Sequence, residues 1–234
     1  MRRLLAVAVL ALASVAGSAV AAETVSLRAA DGTALSAVWH QPSQPAPAVL
    51  LVHMLSRSHR EWDSAAQALS AAGFAVLALD LRGHGESSGG YAEGLASMQQ
   101  DVQAAIDWLK ARPDVLTGRV GIAGASLGAS LAVIAAASDG AVRSVALLSP
   151  GGEYRGVRCE ASMRRFADRG GAAMLVAATG DPYALRTARQ FSSMGSGPRD
   201  LRVVDGTSAH GTRLLEASPD LLPGLVDWFR RSLL

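Results

Sequence analysis

The stretch RVGIAGASLGASLAVIAAAS, residues 119–138, decides how this chain folds. It opens as an apolar run from Val120 to Ala123 and passes straight into SLGASLAVIAAAS, whose Ala and Leu content favours a helix. Between the two lies Gly124-Ala125-Ser126-Leu127-Gly128, a G-x-S-x-G pattern. The five residues alone are a weak signal; the strand–turn–helix setting makes them informative. At such an elbow the serine takes strained dihedrals, and glycines two residues either side let helix and backbone pack closely around it. The Ser126 Oγ is then held clear of a sheet at a helix N-terminus, where the Leu127 N–H and the helix dipole can meet a developing oxyanion. The alternative is a tight structural turn with no chemistry.

Working outward, strand-like runs alternate with helical ones. AVLLVH (48–53), FAVLALD (74–80), VRSVALLS (142–149), AAMLVAAT (172–179) and DLRVVD (200–205) are short and apolar, as strands buried on both faces should be. Helical spacing is expected over 61–73, with Trp62, Ala65, Ala66 and Leu69 on one face. It is expected again over 95–111, with Met98, Val102, Ala105 and Leu109, and near 184–194 and 219–233. Ahead of the series, TVSLRAA and ALSAVWH flank Asp31-Gly32, a hairpin signal. The fold class implied is α/β: a doubly wound, mostly parallel sheet with an N-terminal antiparallel hairpin and helices on both faces. In such sheets the working residues lie on loops at the carboxyl ends of strands.

The chain has 234 residues, 50% apolar and 18% charged, enough for one ordinary core and incompatible with wholesale disorder. Met1-Arg2-Arg3 precedes an Ala/Leu/Val run over 4–22 that ends in Ala19-x-Ala21 and Val20-x-Ala22. This reads as a bacterial-type signal peptide over 1–22, cleaved after Ala21 or Ala22, with one domain over 23–234. The competing reading is a permanent membrane anchor, against which the small residues of the second half weigh. Periplasmic or secreted localisation is expected. Without Arg2 and Arg3, the 22 basic and 20 acidic residues become 20 of each. That neutrality argues against nucleic acid, or a membrane after cleavage, as a partner. A single cysteine, Cys159, excludes an intrachain disulfide and any cysteine-based zinc finger. No H-E-x-x-H, P-loop or strand-linked G-x-G-x-x-G pattern points to a metal or a nucleotide, so no cofactor is expected.

With the elbow, three further segments carry a resemblance over residues 24–234: the strand ending Val52-His53, the run Asp80-Leu81-Arg82-Gly83-His84-Gly85-Glu86-Ser87, and Ala209-His210-Gly211. In this order they resemble the α/β-hydrolase superfamily, in particular cap-poor serine esterases and dienelactone-hydrolase-like members. The resemblance implies a chain order of Ser, acid, His. Of five histidines only His210 follows Ser126; His40, His53, His59 and His84 precede it. The acid is expected after the penultimate strand, at Gly180-Asp181-Pro182. Asp205 is the competitor, and Asp168 reads as a salt-bridge partner. The second oxyanion donor is expected from the loop after the third strand, where Met54 stands in place of a common glycine. Its N–H can donate while its thioether narrows the acyl side.

The activity implied is hydrolysis of a small-molecule carboxylic ester, short acyl chains preferred, through Ser126, His210 and Asp181 with an acyl-enzyme intermediate. Met54 and Leu127 form the oxyanion hole in this reading. A thioesterase or serine peptidase of the same superfamily is the runner-up. A non-catalytic secreted binding protein would need a lost triad residue. Between Ser149 and Ala172 there is room for one short helix, which carries Arg155, Arg158, Arg164, Arg165 and Arg169. It is expected as a solvated helix, or else as a cationic rim to the site.

Overall fold

The computed structural model describes residues 22–90, 94–154 and 157–234. Residues 1–21 of the expected leader, and Arg155, lie outside those residues. β1 (Glu23–Arg28) and β2 (Ala34–His40) form the antiparallel hairpin, and β3 (Ala46–Val52) begins the parallel series. A 3-10 turn (His59–Trp62) leads into α1 (Asp63–Ala71), β4 (Ala75–Leu79), α2 (Leu95–Lys110), β5 (Val115–Ala125) and α3 (Leu127–Ser138). β6 (Val142–Leu148) is followed by a small ribbon, β7 (Glu153–Tyr154) and β8 (Val157–Arg158), and by α4 (Glu160–Asp168). β9 (Ala172–Ala178), α5 (Pro182–Ser192), β10 (Arg199–Val204), α6 (Arg213–Ala217) and α7 (Leu221–Leu233) complete the chain.

The main sheet has eight strands in the order β1-β2-β4-β3-β5-β6-β9-β10. β2 runs antiparallel to β4, and every pair from β4 to β10 is parallel. Alternation along β3 divides the interior in two. Ala48, Leu50 and Val52 join the core that includes α2, α3, α4 and α5, while Val49 and Leu51 join the core under α1 and α7. All seven β3 residues are buried, which is why the strand reads as continuously apolar. Each fully buried Leu or Val contributes roughly 1.5–3 kcal/mol relative to exposure. α3 is apolar almost all round because it is covered by both the sheet and α4. Val52 pairs with Gly124, and Ala125 with Leu148. The carboxyl ends of β3, β5 and β6 are thereby level, and their loops open at one rim.

Two differences from the sequence expectation have local causes. α5 starts at Pro182 rather than 184, because Asp181 caps it and proline suits the first helical position. The Arg-rich stretch is one-sided rather than wholly solvated: Ser162, Met163, Phe166 and Ala167 of α4 are buried while Arg164 and Arg165 face solvent, and Arg158 lines a surface cleft with Tyr183 and Arg186. Arg169 donates to the carbonyls of Ala136, Asp139 (2.9 Å) and Val142 (2.8 Å), two of them at the end of α3. The DLRGHGES run is anchored by Arg82, fully buried, which donates to Asp101 Oδ1 on α2 (2.6 Å) and to Asp31 Oδ2 of the hairpin (2.6 Å). Removing one partner of such a buried pair costs about 3–5 kcal/mol.

Candidate active site

Ser126 stands between β5 and α3 with φ 51° and ψ −110°, a conformation costly for a residue with a Cβ. Its N–H is bonded to the Leu148 carbonyl at 2.9 Å, which pins the elbow to β6. The flanking glycines are required by contact: a Cβ on Gly124 would run into the Gly128 carbonyl, and one on Gly128 into the Val52 carbonyl. Close approach of helix to strand, rather than flexibility, explains both.

His210 lies on the loop after β10. Its Nε2 accepts from the Ser126 hydroxyl at 2.8 Å, and its Nδ1–H donates to Asp181 Oδ2 at 2.6 Å. Asp181 ends the loop after β9, and its other oxygen accepts the Ala184 N–H at 3.2 Å. One carboxylate thus caps α5 and orients the imidazole. Asp205, the competitor, is exposed at a turn, and Asp168 is exposed at the end of α4. The His210 side chain is 43% exposed and Asp181 16%, so the ring edge is open to a ligand while the carboxylate is largely covered.

The histidine loop is held by a residue that the sequence reading passed over. Ser149, 2% exposed and with φ 52°, accepts the Gly211 N–H on its Oγ at 2.9 Å. No local pattern marks it, since its partner is 62 residues away. Thr207 helps: its Oγ1 accepts the Ala209 N–H (3.0 Å), and its carbonyl accepts the Gly180 N–H (2.9 Å), tying the histidine loop to the aspartate loop.

The other expected site residue, Met54, is placed differently from the reading above. Its N–H donates to Glu61 Oε1 at 2.7 Å and is not open to an oxyanion. Its side chain is 7% exposed, belongs to the core under α1 and α7, and occupies the space a Cβ on Gly211 would need. The thioether therefore packs against the histidine loop at Gly211. Glu61 was legible only as an acid near a helix start. It is half-buried, and burial pushes its carboxyl above the ordinary range against the opposing pull of the Met54 N–H and the Thr212 side chain. Leu127, the first residue of α3, has no intrahelical acceptor for its N–H, as expected of a helix start.

Three of the remaining histidines lie at the loop after β3, and the fourth, His40, ends β2. His53 donates from Nδ1–H to the Met54 carbonyl (2.6 Å) and accepts the Leu81 N–H on Nε2 (3.0 Å). Both bonds need the neutral ring, and burial lowers its pKa to about 4. His84 donates to the Arg82 carbonyl (2.8 Å) and accepts the Ser56 N–H (3.1 Å). His59 pairs with the buried Asp80 carboxylate at 3.0 Å. Among the described residues, no group of three His, Cys, Asp or Glu side chains could hold a metal ion.

The family profile of X-Pro dipeptidyl-peptidases (S15) matches residues 31–190. An uncharacterized 31.7 kDa protein of the traX-finO intergenic region of Escherichia coli is 36% identical over 81 residues, 34% of this chain and 28% of that protein. The chain thus matches well under two thirds of that relative's length. Among solved structures, the Pyrococcus furiosus esterase Pf2001 superposes with a TM-score of 0.76 at 16% identity, covering 91% of this chain and 93% of that one. The dienelactone hydrolase of Anabaena variabilis gives 0.75 at 19%, covering 92% and 99%. Est1E of Butyrivibrio proteoclasticus, with ferulic acid bound, gives 0.71 at 18%, covering 88% and 96%. At such identities the superpositions show a shared fold.

Proposed function

We propose that this chain, which belongs to the X-Pro dipeptidyl-peptidase (S15) family, is an exported hydrolase of carboxylic esters working through Ser126, His210 and Asp181. The chain is a serine hydrolase of the α/β-hydrolase superfamily. The observation that carries the site is the relay of hydrogen bonds from Ser126 Oγ to His210 Nε2 and from His210 Nδ1 to Asp181, 2.8 and 2.6 Å long.

The Ser126 oxygen attacks the ester carbonyl as His210 Nε2 takes its proton, and Asp181 holds the ring and stabilises its cation. Negative charge moves to the former carbonyl oxygen, where preorganised N–H groups stabilise it. Leu127 supplies one donor. In the loop after β3 the donor is Leu55, because the Met54 N–H is committed to Glu61. Collapse expels the alcohol, which takes the proton from His210. Water, deprotonated by the same ring, then releases the acid and restores Ser126.

Ester is preferred to peptide because only the β7–β8 ribbon and α4 lie between β6 and β9, and α4 is packed into the core. In this reading a bulky leaving group would extend toward the cleft of about 500 Å³ lined by Gly152, Arg158, Tyr183, Arg186 and Thr187. The family match favours a second reading, release of Xaa-Pro dipeptides. Export follows from the leader expected over 1–22. The test is turnover of p-nitrophenyl esters against Xaa-Pro p-nitroanilides and acyl-CoA thioesters by the chain beginning at Glu23. Ester turnover that exceeds both others supports the reading, and a peptidase rate above the esterase rate overturns it.

A further inference from the structure

The backbone N–H groups after His53 are accounted for one by one. Met54 donates to Glu61 Oε1 at 2.7 Å, Ser56 to His84 Nε2 at 3.1 Å, and Arg57 to the Met54 carbonyl at 3.2 Å. Among the described residues the Leu55 N–H has no acceptor within hydrogen-bond distance, unlike its neighbours Met54, Ser56 and Arg57, and the backbone reverses directly after it, at Ser56, with φ 58°. Three successive peptides are therefore held: His53–Met54 by Glu61 of the 3-10 turn, Met54–Leu55 through its carbonyl by the His53 ring (2.6 Å) and the Arg57 N–H, and Leu55–Ser56 by His84 of the loop after β4. The Glu61 carboxyl is half-buried, and it is the Met54 N–H at 2.7 Å, with the Thr212 side chain and the nearby Arg57 and Arg213 charges, that favours its ionised form against the cost of burial.

We propose that Glu61 is a positioning residue for the oxyanion hole: by holding the His53–Met54 peptide it fixes Met54, and with the His53 and Arg57 bonds to the Met54 carbonyl it sets the following peptide so that the Leu55 N–H faces the Ser126 elbow. This rests on Ser126 being the nucleophile, and it deepens that reading. The rival arrangement is that the Met54 N–H is the true donor and Glu61 merely occupies it at rest. The two predict opposite signs. If Glu61 positions, removing its carboxyl loosens the loop and slows the chemical step; if it obstructs, removal speeds it.

Glu61→Leu, Glu61→Ala and Glu61→Gln are compared with the wild type for kcat and KM on a p-nitrophenyl ester, and for inhibition by a boronic acid that mimics the tetrahedral adduct. Glu61→Leu and Glu61→Ala are expected to lower kcat by about 10–100-fold, the scale of a misplaced catalytic contact, with KM nearly unchanged and boronate affinity falling in parallel. Glu61→Gln keeps a carbonyl acceptor for the Met54 N–H and is expected to stay within about threefold of the wild type. A melting curve identifies any variant that does not fold. The wild type supplies a test free of that problem: on boronate binding, the Leu55 and Leu127 amide resonances should shift far more than that of Met54. A higher kcat in Glu61→Leu, unchanged kcat, or a dominant Met54 amide shift overturns the proposal. A wild type that a fluorophosphonate fails to label at Ser126 would instead remove the nucleophile assignment on which it rests.

Discussion

His53 couples the stability of the site to pH. Its ring is fully buried, and both nitrogens are used in the neutral form, one donating to the Met54 carbonyl and one accepting the Leu81 N–H. Burial lowers its pKa from 6.5 to about 4. Above 6.5 the ring is neutral whether the chain is folded or unfolded, and it exerts no pull. As pH falls from 6.5 toward 4, the unfolded chain binds a proton that the folded one refuses, so stability is lost; below 4 both bind it and the loss levels off. A gap of some 2.5 units at 1.36 kcal/mol per unit gives about 3 kcal/mol. Glu61 acts in the opposite sense, its raised pKa favouring the fold at low pH and withdrawing that support as pH rises through it. It is common to wild type and variant, as is His40, so both cancel in a difference. The assay is urea unfolding of wild type and His53→Gln at pH 8, 6, 5 and 4. The variant starts less stable, but the wild type should lose about 3 kcal/mol more than the variant across that range. Parallel stability curves would refute the burial argument.

Asp181→Asn should lower kcat by roughly 10²–10⁴-fold through loss of ring orientation, with Asp205→Asn near the wild type; the reverse ranking in ester turnover would exchange their roles. Ser149→Ala leaves the Gly211 N–H without its acceptor and should cost about 1–3 kcal/mol in denaturant unfolding. Ser149→Gly should cost less than the alanine change, because the φ of 52° is relieved. Met54→Gly should lower the melting temperature by removing the support beneath Gly211 while leaving the preferred acyl length unchanged, as read from a series of p-nitrophenyl esters.

Much of this architecture is legible in the sequence because its determinants are local or periodic. Strands such as β3 and β9 read correctly since burial on both faces leaves them no polar positions. Gly124 and Gly128 read correctly since each marks a place where backbone meets backbone. Asp181 is expected over Asp205 from the resemblance and because Pro182 cannot continue a strand; β9 in fact ends earlier, at Ala178, and the proline acts instead as a helix start, moving α5 two residues earlier than its apolar spacing suggested. What could not be read depends on direction or on distant partners. Met54 is at the expected place, but which way its peptide points is decided by Glu61, seven residues on, and where its side chain goes is decided by Gly211. Ser149 is an unremarkable strand-end serine until the chain brings Gly211 to it. Arg169 looked like one more surface cation, and its role appears only when the end of α3 is beside it.

The central claim is that Ser126 is a nucleophile activated by His210. It is tested most directly by treating the purified chain from Glu23 with a fluorophosphonate and locating the adduct by peptide mass spectrometry. The account predicts a single adduct on Ser126, absent in Ser126→Ala and slowed by roughly 10³-fold or more in His210→Ala. An adduct on another residue, or labelling of Ser126→Ala at the wild-type rate, would contradict it.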